Sequence, residues 1–236
     1  HFIANSTSSS RGAAIQISSH GPNHYIGNIT IRRIVFVDNV SEIFPGKIAQ
    51  LVSDARILIE DMHFIGSIPG EQIFFGRGDT TIVRNVEISG FSEIDEAPID
   101  IRGDSFLDIR DIHIHDNHSL KNEYLNMDCW PGNATLRKLL VADNVLELAC
   151  DDTGTPRAFY LVADSVLVDS VFCYRNHAWS GVAAASFRAR VYGEIHNMDV
   201  RENVVGELFT GYSCSRRVIS VGNCSIYDSN FSDNIV

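Results

Sequence analysis

Three ionisable residues occur at similar intervals in the sequence, namely His63, Glu87 and His113, and His115 and Asp116 follow directly. A carboxylate between two imidazoles can transfer protons, and histidine with glutamate can also bind a metal ion. Opposite charges on neighbouring strands also form plain surface ladders that need no ligand. We favour the surface ladder, and we predict no catalytic residue, no metal and no cofactor for this chain.

Two Arg-Gly-Asp tripeptides, at 77–79 and 102–104, are a second candidate site. In a secreted protein this tripeptide suggests a ligand for integrin-type receptors. Glycine and aspartate are also ordinary turn residues, because glycine adopts positive φ and aspartate caps the local backbone. We expect turn chemistry here, since a three-residue motif has low specificity.

Both candidates depend on a repeat that runs along the whole chain. Its last four residues are clearest in Phe2-Ile3-Ala4-Asn5, Phe36-Val37-Asp38-Asn39 and Phe231-Ser232-Asp233-Asn234. We number each repeat backward from its last residue, which is position 0. The copies end at residues 5, 39, 67, 91, 117, 144, 176, 203 and 234. The mean spacing is (234 − 5)/8, about 29 residues.

Positions −8, −5 and −3 are apolar in every repeat except at Ser229, and apolar residues two apart indicate strands with one inward face. A polar two-residue corner separates the strands, and its second residue is often Asn or Asp, which tolerate left-handed backbone angles. A third strand precedes each pair, as in 48–51, 73–75 and 99–101. We therefore predict an all-β fold, a right-handed parallel β-helix of about eight coils with three short strands per coil, as a single domain over residues 1–236.

Side chains of the first strand are predicted to alternate between the two faces. The predicted inward residues are Leu51, Phe75, Ile101 and Tyr160. The predicted outward residues are Gln50, Phe74, Asp100, Asn126, Phe159 and Ser186. Position −4 of the third strand also faces outward, and it carries Val35, His63, Glu87, His113, Leu140 and Phe172. We expect the outward aromatic rings to contact sugar rings or another subunit.

The repeat resembles that of right-handed parallel β-helices of the pectin-lyase-like superfamily. Its ending is similar to the FxxN motif of polymorphic outer-membrane and adhesin-type β-helices, and segments 11–15 and 180–184 resemble their GGA(I) motif. The superfamily includes polysaccharide lyases, hydrolases, tailspikes, adhesins and structural proteins, so the resemblance implies a fold and leaves the function open. Asp100 has no base beside it, and Asp151-Asp152 lacks the companion motifs of polygalacturonase-like enzymes, so we interpret that pair as a solvated loop.

Asn-x-Ser/Thr sequons are more frequent than the composition predicts by chance, and they indicate an extracellular glycoprotein. We expect all of them outside the core, because an attached glycan cannot be buried. The alternative is that asparagine is simply favoured in β-helix turns, with Ser and Thr nearby. The predicted N-glycosylation sites are Asn5, Asn28, Asn117, Asn133, Asn223 and Asn230.

The five cysteines are compatible with an oxidising compartment. Cys214 and Cys224 bracket a long turn, and Cys129 and Cys150 lie in turns of neighbouring coils, so these are the two candidate disulfides. Cys173 occupies an inward position and is predicted to be a buried apolar residue. The alternative is five reduced thiols.

The chain has 236 residues, of which 44% are hydrophobic, and its formal net charge is 19 − 30 = −11. This charge argues against nucleic acid and anionic membranes as partners. No apolar run is long enough to insert into a membrane. Both termini fall within repeats, which predicts either a segment of a longer solenoid or end-to-end stacking.

We therefore predict an extracellular or cell-surface β-helix with a structural or adhesive role. It would form a segment of a surface protein or filament, such as a fibre, a flagellar hair, a coat or a cell-wall component. Its partners would be other subunits or the remaining parts of the same solenoid, joined end to end or laterally, and carbohydrate is a further candidate. One alternative is a polysaccharide lyase or hydrolase. The other is a viral tailspike segment, which predicts a trimer without glycans.

Overall fold

A computed structural model gives the fold, and the part of the chain that it describes is mostly β-strand. It describes residues 2–3, 6–7, 15–17, 27–37, 40–41, 49–67, 74–92, 99–119, 124–146, 157–178, 182–205 and 217–235. No helix occurs within these ranges, and therefore none that is long and apolar enough to cross a membrane.

From β9 to β18, long strands alternate with two- or three-residue strands. The strands are β1 (Phe2–Ile3), β2 (Ser6–Thr7), β3 (Ile15–Ile17), β4 (Ile29–Val37), β5 (Val40–Ser41), β6 (Ala49–Val52), β7 (Arg56–Ser67), β8 (Phe74–Phe91), β9 (Ile99–His115), β10 (His118–Ser119), β11 (Leu125–Ala142), β12 (Val145–Leu146), β13 (Phe159–Tyr174), β14 (His177–Ala178), β15 (Val182–Arg201), β16 (Val204–Val205), β17 (Arg217–Tyr227) and β18 (Asn230–Ser232).

The described strands pair in parallel, each long strand with the next one along the chain. The main sheet has the order β1-β4-β7-β8-β9-β11-β13-β15-β17, with β18 also beside β15. The short strands β10, β12, β14 and β16 form a second parallel sheet in the same sequence order. The fold is therefore an all-β parallel β-solenoid, which confirms the predicted fold class.

The solenoid has about five turns, fewer than the eight predicted. Five strands, namely β8, β9, β11, β13 and β15, are 16 to 20 residues long and run through the corners of the coil. Toward the ends, β4 and β17 have 9 and 11 residues. The sequence repeat continues into these partial turns, and for that reason counting repeats gave the larger number.

Each coil bends at a residue with positive φ at position −6, the predicted second corner residue. These residues have φ of 48° to 64°, and they are Arg33, Asp61, Asn85, Asp111, Lys138, Ser170, Asn197 and Asp228. Pairing between turns continues on both sides of the bend, as Arg137 with Arg110 and Leu139 with Ile112 show. A second bend at position −1 was not predicted, and it uses Gly66, Gly90, Asp116, Asp143, Arg175, Glu202 and Asp233.

Positions −8, −5 and −3 form the core, as predicted. From β7 to β15 every side chain at these positions is buried. Apolar residues in register on successive turns thus make one continuous column, which no single coil could bury alone.

The first turns fill the column with stacked aromatic rings. Phe36 and Phe64 are parallel, with ring centroids 4.9 Å apart and planes 1° apart. Phe74 meets the Phe64 ring edge to face at 5.8 Å. Phe36 and Phe74 are also in edge-to-face contact, at 6.4 Å. We call Phe36, Phe64 and Phe74 the phenylalanine stack.

The later turns contain a polar column at position 0, formed by Asn117, Asn144, Asn176, Asn203 and Asn234. Each side-chain Nδ2 donates to the Oδ1 of the asparagine one turn further along, at 2.9 Å in all four steps. The backbone N–H donates to the same oxygen. Nδ2 also donates to the carbonyl at position −3 of the preceding turn, as in Asn144 to Ile114 at 2.9 Å. We call this column the asparagine ladder.

The prediction for the first strand was wrong by one residue in two turns. Phe74 and Phe159, predicted to face outward, are buried, and Phe75 and Tyr160, predicted to face inward, are partly exposed. Inter-strand pairs align Phe75 with Asp100 and Tyr160 with Ser186. Since side chains alternate with period two, a slip of one residue exchanges the two faces.

Candidate functional site

Position −4 brings His63, Glu87 and His113 into one outward row, as predicted. His63 lies opposite Glu87 in the pairing of β7 with β8, and Glu87 lies opposite His113 in the pairing of β8 with β9. The buried residues at −5 and −3 on either side turn position −4 toward solvent.

Glu87 bridges two histidines, but the second is His115 and not His113. His63 Nδ1 is 2.8 Å from Glu87 Oε2, and His115 Nε2 is 3.1 Å from Glu87 Oε1. His115 Nδ1 is also 2.8 Å from Asp116 Oδ2. Within the described ranges, His113 has no hydrogen bond or ion pair. We call His63, Glu87, His115 and Asp116 the histidine–glutamate cluster.

The sequence named His115 and Asp116 as neighbours of the row without assigning them this contact. His113 and His115 are two apart on one strand, so both lie on the outward face. Alternation alone therefore cannot distinguish them. The choice depends on side-chain reach, because the imidazole of His115 extends across the turn to the free oxygen of Glu87.

Ionic contacts shift the pKa of two members of the histidine–glutamate cluster. Burial raises the pKa of Glu87, but hydrogen bonds from His63 and His115 outweigh this and hold it below its ordinary value. Burial lowers the pKa of His115, but hydrogen bonds to Asp116 and Glu87 outweigh this and raise it. An ionised carboxylate and a protonated imidazole thus stabilise each other.

The ion pairs of the cluster connect three successive turns at the surface. Its side chains are 30 to 38% exposed for His63, Glu87 and His115, so water reaches each of them. In the described ranges, no three metal-ligating side chains are arranged to hold a metal ion. The arrangement can exchange protons with solvent and can link the turns electrostatically.

A second polar cluster lies on the outward face of the first strand. Asp100 is buried, and Arg102 donates from Nη2 to its Oδ2 at 2.7 Å and from Nε to both carboxylate oxygens. Asn126 Nδ2, one turn away, donates to Oδ1 at 3.2 Å. The carboxylate of Asp100 is therefore saturated with donors, which indicates a structural role.

Asp128 is a residue that the sequence reasoning missed. It lies opposite Arg102, just before the pairing shifts register at the corner. Its Oδ1 is buried and has no hydrogen-bond partner within the described ranges. Burial raises the pKa of Asp128, opposed by the positive charge of Arg102. The sequence did contain a signal for it, because Asp128 lies two residues after Asn126, which was predicted to face outward.

The two Arg-Gly-Asp tripeptides stack on each other in the wall of the solenoid. Arg77 lies opposite Arg102, and Arg77 Nε donates to Asp104 Oδ1 at 3.0 Å. A Cβ on Gly103 would lie 2.6 Å from the carbonyl oxygen of Phe106. Neither Gly78 nor Gly103, the glycines of the two tripeptides, has positive φ. Close packing, and not the predicted backbone angle, therefore explains Gly103.

The structure supports neither candidate disulfide. Cys129, Cys173 and Cys224 are free thiols, and the described ranges contain no disulfide. Cys173 is buried as predicted, and Cys129, predicted in a turn, is also completely buried. Burial raises the pKa of Cys129 to about 12. The other two cysteines, Cys150 and Cys214, lie outside the described residues, as does the Asp151-Asp152 pair.

The predicted glycosylation sites divide into two groups. Asn28, Asn133, Asn223 and Asn230 are exposed. Asn117 is only 2% exposed and is the first member of the asparagine ladder, so the prediction that every sequon lies outside the core is wrong there. The unpredicted bend at Asp116 precedes this inward position. The sixth site, Asn5, lies outside the described residues.

The parallel pairing of the strands defines the chain as a parallel β-solenoid protein. No protein-family description, no curated protein and no solved structure matches it in the comparisons. The chain is therefore classified by its architecture, the parallel β-solenoid.

Proposed function

We propose that this chain is an extracellular or cell-surface structural rod, a β-helical segment of a surface protein or filament in the pectin-lyase-like architectural class. Its stiffness comes from the backbone hydrogen bonds between parallel strands and from the asparagine ladder. Its activity is mechanical and interfacial, through contacts with other subunits or with further coils of the same solenoid. The net charge of −11 supports a partner other than nucleic acid.

The observation that carries this proposal is the apolar surface of the turn formed by β17 and β18. Ile226 and Phe231 occupy positions −8 and −3, which are buried in every earlier copy from β4 to β15. Here their exposed fractions are 42% and 53%. Apolar side chains at positions that form the core in earlier turns thus face solvent here, and a neighbouring coil would cover them.

The asparagine ladder is open on the same surface. Asn234 accepts from Asn203 and donates from Nδ2 to the carbonyl of Val200 at 2.8 Å. Within the described ranges, no group accepts its second amide hydrogen. A coil with an asparagine at position 0 would supply that acceptor, so the polar and the apolar parts of this surface favour the same kind of partner.

Sedimentation velocity and electron microscopy of the unglycosylated chain test end-to-end association. We expect wild-type protein to form longer rods as its concentration rises, and Phe231→Lys with Ile226→Lys to abolish them, because a buried unpaired lysine is unfavourable. Leu167→Lys is the matched control, since Leu167 is exposed on the side of the solenoid. Equal association of both variants, or a wild-type monomer at all concentrations, would overturn the end-to-end contact.

The unpaired carboxylate oxygen of Asp128 favours a second candidate, a polysaccharide-cleaving enzyme. A carboxyl group with a raised pKa is suited to general acid catalysis. Incubation with acidic polysaccharides and assay of new chain ends would test it. Enzyme function predicts that Asp128→Asn loses activity while Asp104→Asn keeps it. Absence of cleavage by the wild type would count against this candidate.

A further inference from the structure

Three sequons lie along one corner of the solenoid. Asn28, Asn133 and Asn223 each directly precede a residue of one inter-turn row. This row runs through Ile29, Ile57, Thr81, Leu107, Ala134, Val166, Gly193 and Cys224. At about 4.8 Å per turn, Asn28 is about 19 Å from Asn133, and Asn133 is about 14 Å from Asn223. We call this line the sequon corner.

The amides of the sequon corner are free to carry a substituent. Asn28 and Asn133 are exposed, and neither side chain has a hydrogen bond within the described ranges. Asn223 is exposed, and its Nδ2 donates to the carbonyl of Arg190 at 3.5 Å. One N–H remains on a glycosylated amide, so even this contact is compatible with a glycan.

Asn117 belongs to an equally good sequon in the opposite environment. Both of its amide hydrogens are used, toward Asn144 Oδ1 at 2.9 Å and the carbonyl of Ile88 at 3.0 Å. A glycan on Nδ2 would replace one of these hydrogens and would have no space in the core. A molecule modified there cannot close the ladder.

The same corner also concentrates exposed apolar side chains. Trp130, Val191 and Tyr192 are 55%, 75% and 55% exposed. Trp130 precedes Asn133 by three residues, and Tyr192 precedes Gly193, the row partner of Cys224. Glycans at Asn133 and Asn223 would flank this patch and shield it from association.

We propose that Asn28, Asn133 and Asn223 carry N-linked glycans in the folded protein and that Asn117 stays unmodified. The reaction transfers an oligosaccharide from a lipid pyrophosphate donor. Nδ2 forms a bond to the anomeric carbon, the bond from that carbon to the pyrophosphate oxygen breaks, and Nδ2 loses one proton as the lipid pyrophosphate leaves. The proposal rests on the proposed extracellular location.

Expression in a secreting eukaryotic host, followed by intact mass and glycopeptide analysis of the secreted protein, tests the assignment. Thr135→Ala and Ser225→Ala remove sequons without changing Asn133 or Asn223, and each should lower the mass by one glycan. Ser119→Ala removes the Asn117 sequon in the same way, and it should leave the mass unchanged. Enzymatic deglycosylation should increase aggregation of the wild type, and Val191→Ser with Tyr192→Ser should reduce that increase.

A mass loss with Ser119→Ala, or unmodified Asn133 and Asn223 in secreted protein, would overturn the proposal. These results are independent of the structural role, because end-to-end association is measured on unglycosylated protein. Rods of the unglycosylated chain, together with secreted protein that lacks the corner glycans, would refute the glycan sites alone. Corner glycans on the secreted protein, together with an unglycosylated chain that stays monomeric, would refute the end-to-end contact alone.

Discussion

The phenylalanine stack and the asparagine ladder fill the interior of the same solenoid by different physical means. The stack, in the first turns, uses ring contacts without hydrogen bonds, such as Phe36 on Phe64. The ladder, from Asn117 onward, uses amides that each serve the turn before and the turn after. Apolar contacts are non-directional, whereas a buried amide must satisfy every donor.

The two regions should therefore tolerate substitutions to different degrees. A smaller apolar side chain in the stack loses contact area and leaves a cavity. An apolar side chain in the ladder also leaves donors of the neighbouring asparagine without acceptors, and these donors are buried. Substitutions to leucine in each region compare the two directly.

The largest effect is expected for Asn176→Leu. It removes the acceptor for both the backbone N–H and Nδ2 of Asn144, so unfolding free energy should fall by about 3–5 kcal/mol. Denaturant unfolding measures this. Asn234→Leu, at the open end of the ladder, should cost much less, and equal losses would refute a ladder stabilised by its buried steps.

A smaller effect is expected for Phe64→Leu in the phenylalanine stack. The substitution keeps an apolar side chain and leaves no polar group unpaired, so the loss should be about 1–2 kcal/mol. The same denaturant measurement applies. A loss as large as that of Asn176→Leu would remove the contrast between the two regions.

The pH dependence of stability examines the junction of the two regions, where the histidine–glutamate cluster lies beside Phe64 and Asn117. The pKa of His115 is raised from 6.5, so its contribution is complete below 6.5 and is lost as pH rises through the folded value. The pKa of Glu87 is lowered from 4.5, so its contribution is complete above 4.5 and is lost on acidification.

The cluster should therefore stabilise most between pH 4.5 and 6.5, by less than about 1 kcal/mol because solvent screens it. Thermal unfolding across this range measures the effect, and Glu87→Gln should flatten the profile. His113→Gln is the control, since His113 is on the same strand as His115. An equal change in both variants would contradict the assignment of His115.

The smallest effect is expected at the corners, which both regions share. Ser170 and Arg33 have φ of 63° and 57°, an angle that glycine adopts without strain. Ser170→Gly and Arg33→Gly should each raise stability by about 0.5 kcal/mol. Thermal unfolding checks this, and opposite signs at the two sites would show that the corners differ between the regions.

The repeat was enough to predict much of this fold. Apolar residues at −8, −5 and −3 identified the inward columns, because a stacked coil must bury the same positions in every turn. Polar pairs such as Arg110-Asp111 identified the −6 bend, since one left-handed residue must recur at each corner. Position −4 likewise placed His63 opposite Glu87.

Three features could not be predicted from the repeat. The number of residues between the first strand and position −8 varies from turn to turn. For that reason Phe74 and Phe159 were assigned to the outward face, although they face the core. The bend at Asp116 turned Asn117 inward, and a sequon contains no information about that. The reach of a side chain selected His115 over His113.

The period, the parallel stacking and the inward columns were therefore predictable from the chain alone, because they depend on the order of polar and apolar residues. The folded structure was needed to establish which asparagines face the core, which histidine binds Glu87 and which apolar residues stay exposed on the last described turn. These features depend on contacts between turns that lie about 30 residues apart in the chain, where corner geometry and side-chain reach outweigh local pattern.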